Sequence, residues 1–270
     1  MSIIKLLFEG NEFAEFFSNQ TNSESGFTSH IYNSIPSYNE MEEMSADAII
    51  KMYRKALILD IGASEGTWGK YISKKSNGNI KTHNLDPNED MMNTFNEDPV
   101  KGATFIKRPF GEDYEDLKAY NPKNKYDVVR ESMTFQFIST NRDDQYKKAS
   151  KAIKNDGIFI TNSKVFQVDD EEYKKFEKVK DAYKRKYFSD DEIKKKAKEI
   201  LPNMSKYMVD IMTTYNALNK HFKYVVQYWT SGNFTGFVAG SDKNKINKFL
   251  SYMPEVDGFP NSVEGKIISI

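Results

Sequence analysis

The clearest hydrophobic signal in the chain is Ala56-Leu57-Ile58-Leu59-Asp60-Ile61, an apolar run broken by a single acid near its end. Runs so short and so uniformly apolar belong to strands covered on both faces. Ahead of it, Met41, Met44, Ala48 and Met52 recur at the spacing of one helix face. Behind it, Gly62 to Gly66 breaks the run, and a helical pattern resumes through Trp68, Tyr71 and Ile72. The alternation continues with a strand over Asn79–Leu85 and Pro87 suited to the first turn of the next helix. A short strand over Ala103–Ile106, another over Tyr126–Val129 and a helix from about Asp143 to Ile153 follow. The Asp156-Gly157 turn then leads into a strand over Ile158–Thr161. Strands alternating with helices predict a parallel sheet with helices on both faces.

After Thr161 the rhythm changes. Glu171–Tyr187 reads as a charged helix with an apolar stripe at Tyr173, Phe176, Val179 and Tyr183. Ser189-Asp190-Asp191-Glu192 is a capping-box signature opening a second helix that ends near Pro202. A third is expected over about Lys206–Asn219, and the Lys-rich run 174–198 reads as solvated helix faces. Strands over His221–Trp229 and Phe234–Ala239 have a connection short enough to force an antiparallel hairpin. The expected fold is α/β: a Rossmann-like class I methyltransferase sheet of five parallel strands plus a terminal antiparallel hairpin. A dinucleotide dehydrogenase would have six parallel strands. The predicted layout is an N-terminal segment over 1–35, with a polar stretch at Ser18–Ser25, and a ligand-binding domain over 36–240. A helical insertion occupies about 168–219 of that domain, and 241–270 reads as a C-terminal tail.

Composition narrows the chemistry. The 270 residues carry 39 basic and 39 acidic side chains, so no global basic field draws the chain to nucleic acid or a membrane. There is no cysteine, which removes disulfides, thiolate metal sites, radical chemistry on an iron–sulfur cluster and covalent cysteine catalysis at cytosine C5. The apolar run Ile3–Phe8 is too short for a signal peptide or a span, so the chain reads as soluble and cytoplasmic. The histidines show no metal-ligand spacing, and no metal is expected. No Asn- or Asp-Pro-Pro-Tyr segment marks amino methylation of nucleic-acid adenine.

Candidate chemistry sits in Asp60-Ile61-Gly62-Ala63-Ser64-Glu65-Gly66, between a buried strand and a helix. Glycine there serves backbone approach to a ligand and tight helix packing. Asp86 ends the next strand, where an acid can accept hydrogen bonds from both ribose hydroxyls of a nucleoside. A nicotinamide dinucleotide needs a third glycine where Ser64 stands, whereas S-adenosylmethionine (SAM) has no phosphate, and Asp60 suits its ammonium group. Gly62-Ala63-Ser64-Glu65-Gly66 also fits the nucleophile elbow of hydrolases. That elbow needs a later histidine, and only His83 and His221 follow. A structural turn with no ligand is a further alternative.

Other segments carry a family resemblance over about residues 25–240. They are Ile31-Tyr32-Asn33-Ser34-Ile35-Pro36-Ser37-Tyr38, the glycine loop, Thr134-Phe135-Gln136-Phe137, Tyr183-Lys184-Arg185 with the Ser189–Glu192 cap, and Asn233-Phe234-Thr235-Gly236. With these the chain resembles the carboxy-SAM synthases of the tRNA wobble-uridine modification pathway. The resemblance implies SAM binding, a homodimer and cofactor contacts at Tyr38, Gly62, Ala63, Ser64 and Asp86. It places Pro109 and Phe110 near the adenine and Ser132 after the fourth parallel strand. The family joins carbon dioxide from prephenate to the SAM methyl and holds the new carboxylate with an arginine. Here Ala197 stands at that position, and Pro87 stands where the family has Asn. The resulting expectation is a SAM-dependent transferase methylating a small-molecule acceptor, with Tyr38 and Glu131 as candidate bases. Carboxy-SAM synthesis and a catalytically silent SAM-binding or interaction module are the alternatives.

Overall fold

The computed structural model describes residues 31–110, 117, 120, 121 and 125–253; the Ser18–Ser25 stretch and residues 254–270 lie outside them. Five strands run parallel: β1 (Ala56–Ile61), β2 (Ile80–Asp86), β3 (Ala103–Lys107), β4 (Tyr126–Ser132) and β5 (Ile153–Lys164). Two more, β6 (Tyr224–Ser231) and β7 (Phe234–Gly240), form an antiparallel hairpin, and β7 pairs antiparallel with β5. The sheet order is β3-β2-β1-β4-β5-β7-β6, so the chain reverses its direction of sheet growth between β1 and β4. Ligands of open α/β sheets bind in the crevice outside the strand C-termini at such a reversal.

Helices α1 (Tyr38–Met52), α2 (Thr67–Lys75), α3 (Glu89–Glu97) and α4 (Arg142–Ala152) alternate with the strands. After β5 come α5 (Asp170–Lys184), α6 (Asp190–Ser205) and α7 (Ile211–His221), and α8 (Lys243–Ser251) follows β7. The side-chain period of two divides each strand between two cores. Leu59, Ile61, Val129 and Phe159 pack with Tyr146 and Ala149 of α4 and with Ala217 and Leu218 of α7. Ile58, Val128, Ile160 and Val238 face Ile49 of α1, Trp68 and Ile72 of α2 and Phe249 of α8.

Several elements differ from the sequence expectation. Met44 is only half-buried, because the inner face of α1 presents Met41, Glu42, Ser45, Ala48, Ile49 and Met52. Pro87 precedes its helix: Asn88 is the N-cap, its side chain accepting from the Asp90 and Met91 amides. α6 continues through Pro202 to Ser205, and α7 begins only where Asp210 caps the Thr213 amide. α7 also covers the sheet alongside α4 and does not stand apart with α5 and α6. Part of the expected tail is α8, whose Ile246 and Phe249 are buried. The capping box at Ser189 and Glu192 is formed in both directions. Among the described residues no helix is long and apolar enough to cross a membrane.

Candidate functional site

Asp60 and Arg130 are direct neighbours in the β1–β4 ladder, at the C-terminal side where the sheet reverses. Their side chains point to one face and meet at 2.7 Å. Arg130 also pairs with Glu42 of α1 and stacks 4.5 Å above the Trp68 ring. All three charged groups are buried, and burial pushes both carboxylates above their ordinary range while Arg130 pulls them back. Asp60 therefore already has a cation, which the sequence reading did not foresee. Its Oδ2 nevertheless has no hydrogen-bond partner and is shut from solvent.

From this triad a chain of hydroxyls leads toward the crevice. Ser132 Oγ donates to Glu42 at 3.3 Å and accepts from Tyr38 at 2.8 Å. Asn162 Nδ2 lies 3.3 Å from the same Ser132 oxygen, and the Tyr228 hydroxyl donates to Asn162 Oδ1 at 2.6 Å. Tyr38 is buried beside Trp229, with ring centroids 6.2 Å apart, and burial holds its hydroxyl protonated. The segment ahead of Tyr38 is sewn to β6, since Trp229 Nε1 donates to Ser37 Oγ and Ser231 Oγ donates to the Pro36 carbonyl.

The glycine loop follows β1. Gly62 and Ala63 donate their amides to the Leu85 carbonyl at 2.8 and 3.1 Å, while Ser64 donates its amide to Asp86 Oδ2 at 3.0 Å. Asp86 Oδ1 accepts from the Asn88 amide at 2.9 Å. Each carboxylate oxygen thus holds one backbone donor and keeps a second lone pair. Burial raises this acid to about 6, against the opposing pull of those two amides. The space beside Gly62 was expected to serve a ligand. It is filled instead by Thr134, whose side chain a Cβ on Gly62 would overlap. Gly66 packs against the Phe95 ring, where a Cβ would lie 2.5 Å from Cδ2. Phe110, next to Pro109, closes this side of the core against Phe135 with ring centroids 5.2 Å apart.

Glu131, expected at the mouth, is fully buried on the opposite face from Arg130 and Ser132. Its oxygens accept from the hydroxyls of Thr161 and Ser163 and from the amides of Thr134 and Phe135. It anchors the 3-10 turn Phe135–Phe137 and offers no open lone-pair direction to an acceptor. The hydrolase arrangement is missing as well. Ser64 Oγ contacts Met91 Sδ, while His83 bonds to Tyr126 and His221 to Asp143. Burial lowers His83 to about 4, which keeps it neutral.

A second charged cluster lies at the end of β5. Lys164 is 2% exposed and pairs with Glu177 of α5 at 2.8 Å; Lys180 closes on the other Glu177 oxygen. Burial and mutual repulsion lower Lys164 and Lys184 to about 8. The lysine-rich stretch is therefore not uniformly solvated. One face of α5 turns inward because β5 supplies Lys164 as a partner for Glu177.

Glu42, Arg130 and Asn162 were missed by sequence reasoning. Their signal is an ionisable or polar residue inside an apolar stripe, visible at Glu42 between Met41 and Ser45 and at Arg130 after Val128-Val129. Such a residue needs a partner, which sequence alone does not identify.

No protein-family model matches the chain, and comparison with curated proteins returns no match. Solved structures do match. The plantazolicin methyltransferase BpumL in complex with SAH aligns with TM-score 0.58 at 13% identity, over 88% of this chain and 93% of that one. BpumL with a triazolic desmethylPZN analog and SAH gives 0.55 at 15%, over 92% and 84%. An O-methyltransferase family protein from Burkholderia thailandensis gives 0.50 at 9%, over 76% of this chain but 57% of that one. Of coclaurine N-methyltransferase the chain spans only 35%. The alignments with BpumL and the Burkholderia protein show the fold: it is the Rossmann-like sheet fold that those methyltransferases have.

Proposed function

We propose that the chain is a SAM-dependent transferase that methylates a small-molecule acceptor at the β1–β4 crevice. One observation carries the reading: two carboxylates at the C-terminal ends of neighbouring strands are both left incompletely satisfied. Asp60 Oδ2 is orphaned and suits an ammonium group, while Asp86 keeps a lone pair on each oxygen for the two ribose hydroxyls. An orphaned buried acceptor is costly, and the donor group of a ligand would relieve that cost. The fold shared with SAH-bound BpumL supports the same group. Bound there, SAM would supply a sulfonium methyl group open to nucleophilic attack. The chain's own residues then hold and orient: Asp86 and Asp60 fix the two ends, Phe110 and the glycine loop bound the nucleoside side, and Tyr38 and Ser132 present hydroxyls to the acceptor. Neither candidate base keeps that role: burial holds the Tyr38 hydroxyl protonated against Ser132, and the Glu131 carboxylate is saturated.

Calorimetric titration with SAM tests the first half, together with mass spectrometry of any ligand that co-purifies. SAH formation with a panel of acceptors tests the second and separates an enzyme from a silent SAM-binding module. Carboxy-SAM synthesis is disfavoured, because half-buried Ala197 on α6 has no donor for a carboxylate. Incubation with SAM and prephenate is expected to give no gain of a carboxyl group on the cofactor.

A further inference from the structure

The floor of the crevice carries unbalanced charge. Glu42, Asp60 and Arg130 are 5%, 1% and 4% exposed. Two carboxylates share one guanidinium, and among the described residues no other cation pairs with either. The surroundings do not restore the balance. Tyr32, Tyr38 and Tyr228 face the triad with hydroxyls that burial keeps neutral, and the nearby Asp86, Glu43 and Glu65 are acids. With both carboxylates ionised, the triad carries one negative charge in a dry setting beneath the point where the sheet order reverses. An unmatched buried anion is stabilised by any cation that comes to rest above it.

We propose that this surplus charge makes the crevice discriminate SAM from SAH, with Glu42 as the specificity-determining residue. The inference rests on the SAM reading above. The two ligands share their adenosine and amino-acid parts and differ by one methyl group and one positive charge. Contacts to the shared parts, including those of Asp86 and the orphaned Asp60 oxygen, cancel in the ratio of their affinities. The ligand ammonium, common to both, offsets the surplus equally in the two complexes, so what remains is the field that each fixed charge exerts at the sulfonium itself. With an effective dielectric near 20, one such charge changes that ratio by about tenfold if it acts within ~10 Å. Glu42 supplies it: replacing this residue leaves Arg130 and Asp60 as a balanced pair. Once a methyl group is transferred the cofactor loses its charge, the attraction fades, and product release is favoured.

The test is calorimetric titration of SAM and SAH, separately, into the native protein and its Glu42→Gln and Glu42→Asp variants. Glu42→Gln is expected to lower the SAM-to-SAH affinity ratio about tenfold by weakening SAM. Glu42→Asp keeps the ratio near the native one. An unchanged ratio in Glu42→Gln overturns the proposal. Should that variant not fold, the Asp86→Asn protein, which lacks the acid that titrates near 6, gives the same reading when titrated from pH 8 toward acid. Burial raises both triad carboxylates, so the triad takes up a proton as pH falls, and the ratio falls with it. A ratio flat across that range also overturns the proposal. If neither ligand binds the native protein at any pH, the SAM reading itself fails, and the proposal with it.

Discussion

Gly62 and Thr134 press together across the β1–β4 crevice so closely that a Cβ on the glycine would overlap the threonine hydroxyl and methyl. Thr134 is held in place, its Oγ1 donating to the Ile61 carbonyl at 3.2 Å, and Gly62 has φ +65°. Gly62→Ala is therefore expected to cost on the order of 2–4 kcal/mol, from overlap and left-handed backbone together. Thr134→Ala removes the two nearest atoms. The double variant is expected to be more stable than the sum of the single effects by on the order of 1 kcal/mol. Urea unfolding of the four proteins measures this. Strict additivity would assign the whole cost to backbone strain.

Asp86 is predicted to make SAM binding depend on acidity. Its pKa near 6 means the empty site gains a proton just below neutrality. The ionised carboxylate is the better acceptor for ribose hydroxyls, so affinity falls as pH drops through 6. Asp86→Ala is expected to weaken SAM at least tenfold at pH 7.5, given about 1.5–3 kcal/mol for each lost charge-assisted bond. It is also expected to flatten the profile, and calorimetry at several pH values reads both effects. For the empty fold the sign reverses. The native state holds this proton more tightly than the unfolded chain, so Asp86 makes the fold more stable as pH falls from about 6 toward 3.8.

Arg130→Met leaves Glu42 and Asp60 buried with no cation. A loss of about 3–5 kcal/mol is expected at pH 8. The loss should shrink at pH 5, because both acids already titrate above their ordinary range and neutralise by taking protons. Glu42→Gln is the milder change, since the Arg130–Asp60 pair survives. Denaturant midpoints at the two pH values order the variants, and an Arg130→Met protein equally destabilised at both would contradict the charge argument.

Glu177 is the counter-charge for two buried lysines, and those lysines hold it down at about 2. Glu177→Gln is expected to cost about 2–4 kcal/mol near pH 7. Lys164, lowered to about 8 from 10.5, binds its proton less well in the native state than when unfolded. Its contribution to stability therefore improves as pH rises from 8 to 10.5. The Glu177→Gln defect should accordingly narrow at high pH, which thermal melts from pH 7 to pH 10 would register.

The sheet was legible because strand burial writes itself into the sequence as uninterrupted apolar runs. The hairpin could be read from a connection too short for a crossover. Asp60, Gly62 and Asp86 were locatable because a loop between strand and helix, followed by an acid ending the next strand, is a local pattern. What the loop touches was not legible. Thr134 lies 72 residues from Gly62 in the chain, and only the parallel register of β1 on β4 brings them together. The same applies to Glu42 and Arg130, 88 residues apart. Glu131 and Ser132 look equivalent as neighbours in sequence. The strand's period of two sends one to the core and the other to the crevice, and a one-residue uncertainty in register inverts those roles.

The position of β7 sets the order in which a growing chain can close its sheet. β5 is paired on one side by β4 and on the other by β7, and from Gly157 to Lys164 every one of its residues is buried. When β5 leaves the ribosome, β7 has not yet been synthesised. Residues 165–233 must emerge first, and until then the free side of β5 is an open strand edge with unpaired amides and carbonyls. Helices α5 and α6 can form in that interval from their own caps and local pairs, but neither supplies the missing strand. Late arrival of the hairpin is then the slow, long-range step of folding. A nascent chain stalled before Phe234 is the species most prone to pair with a neighbour of its own kind.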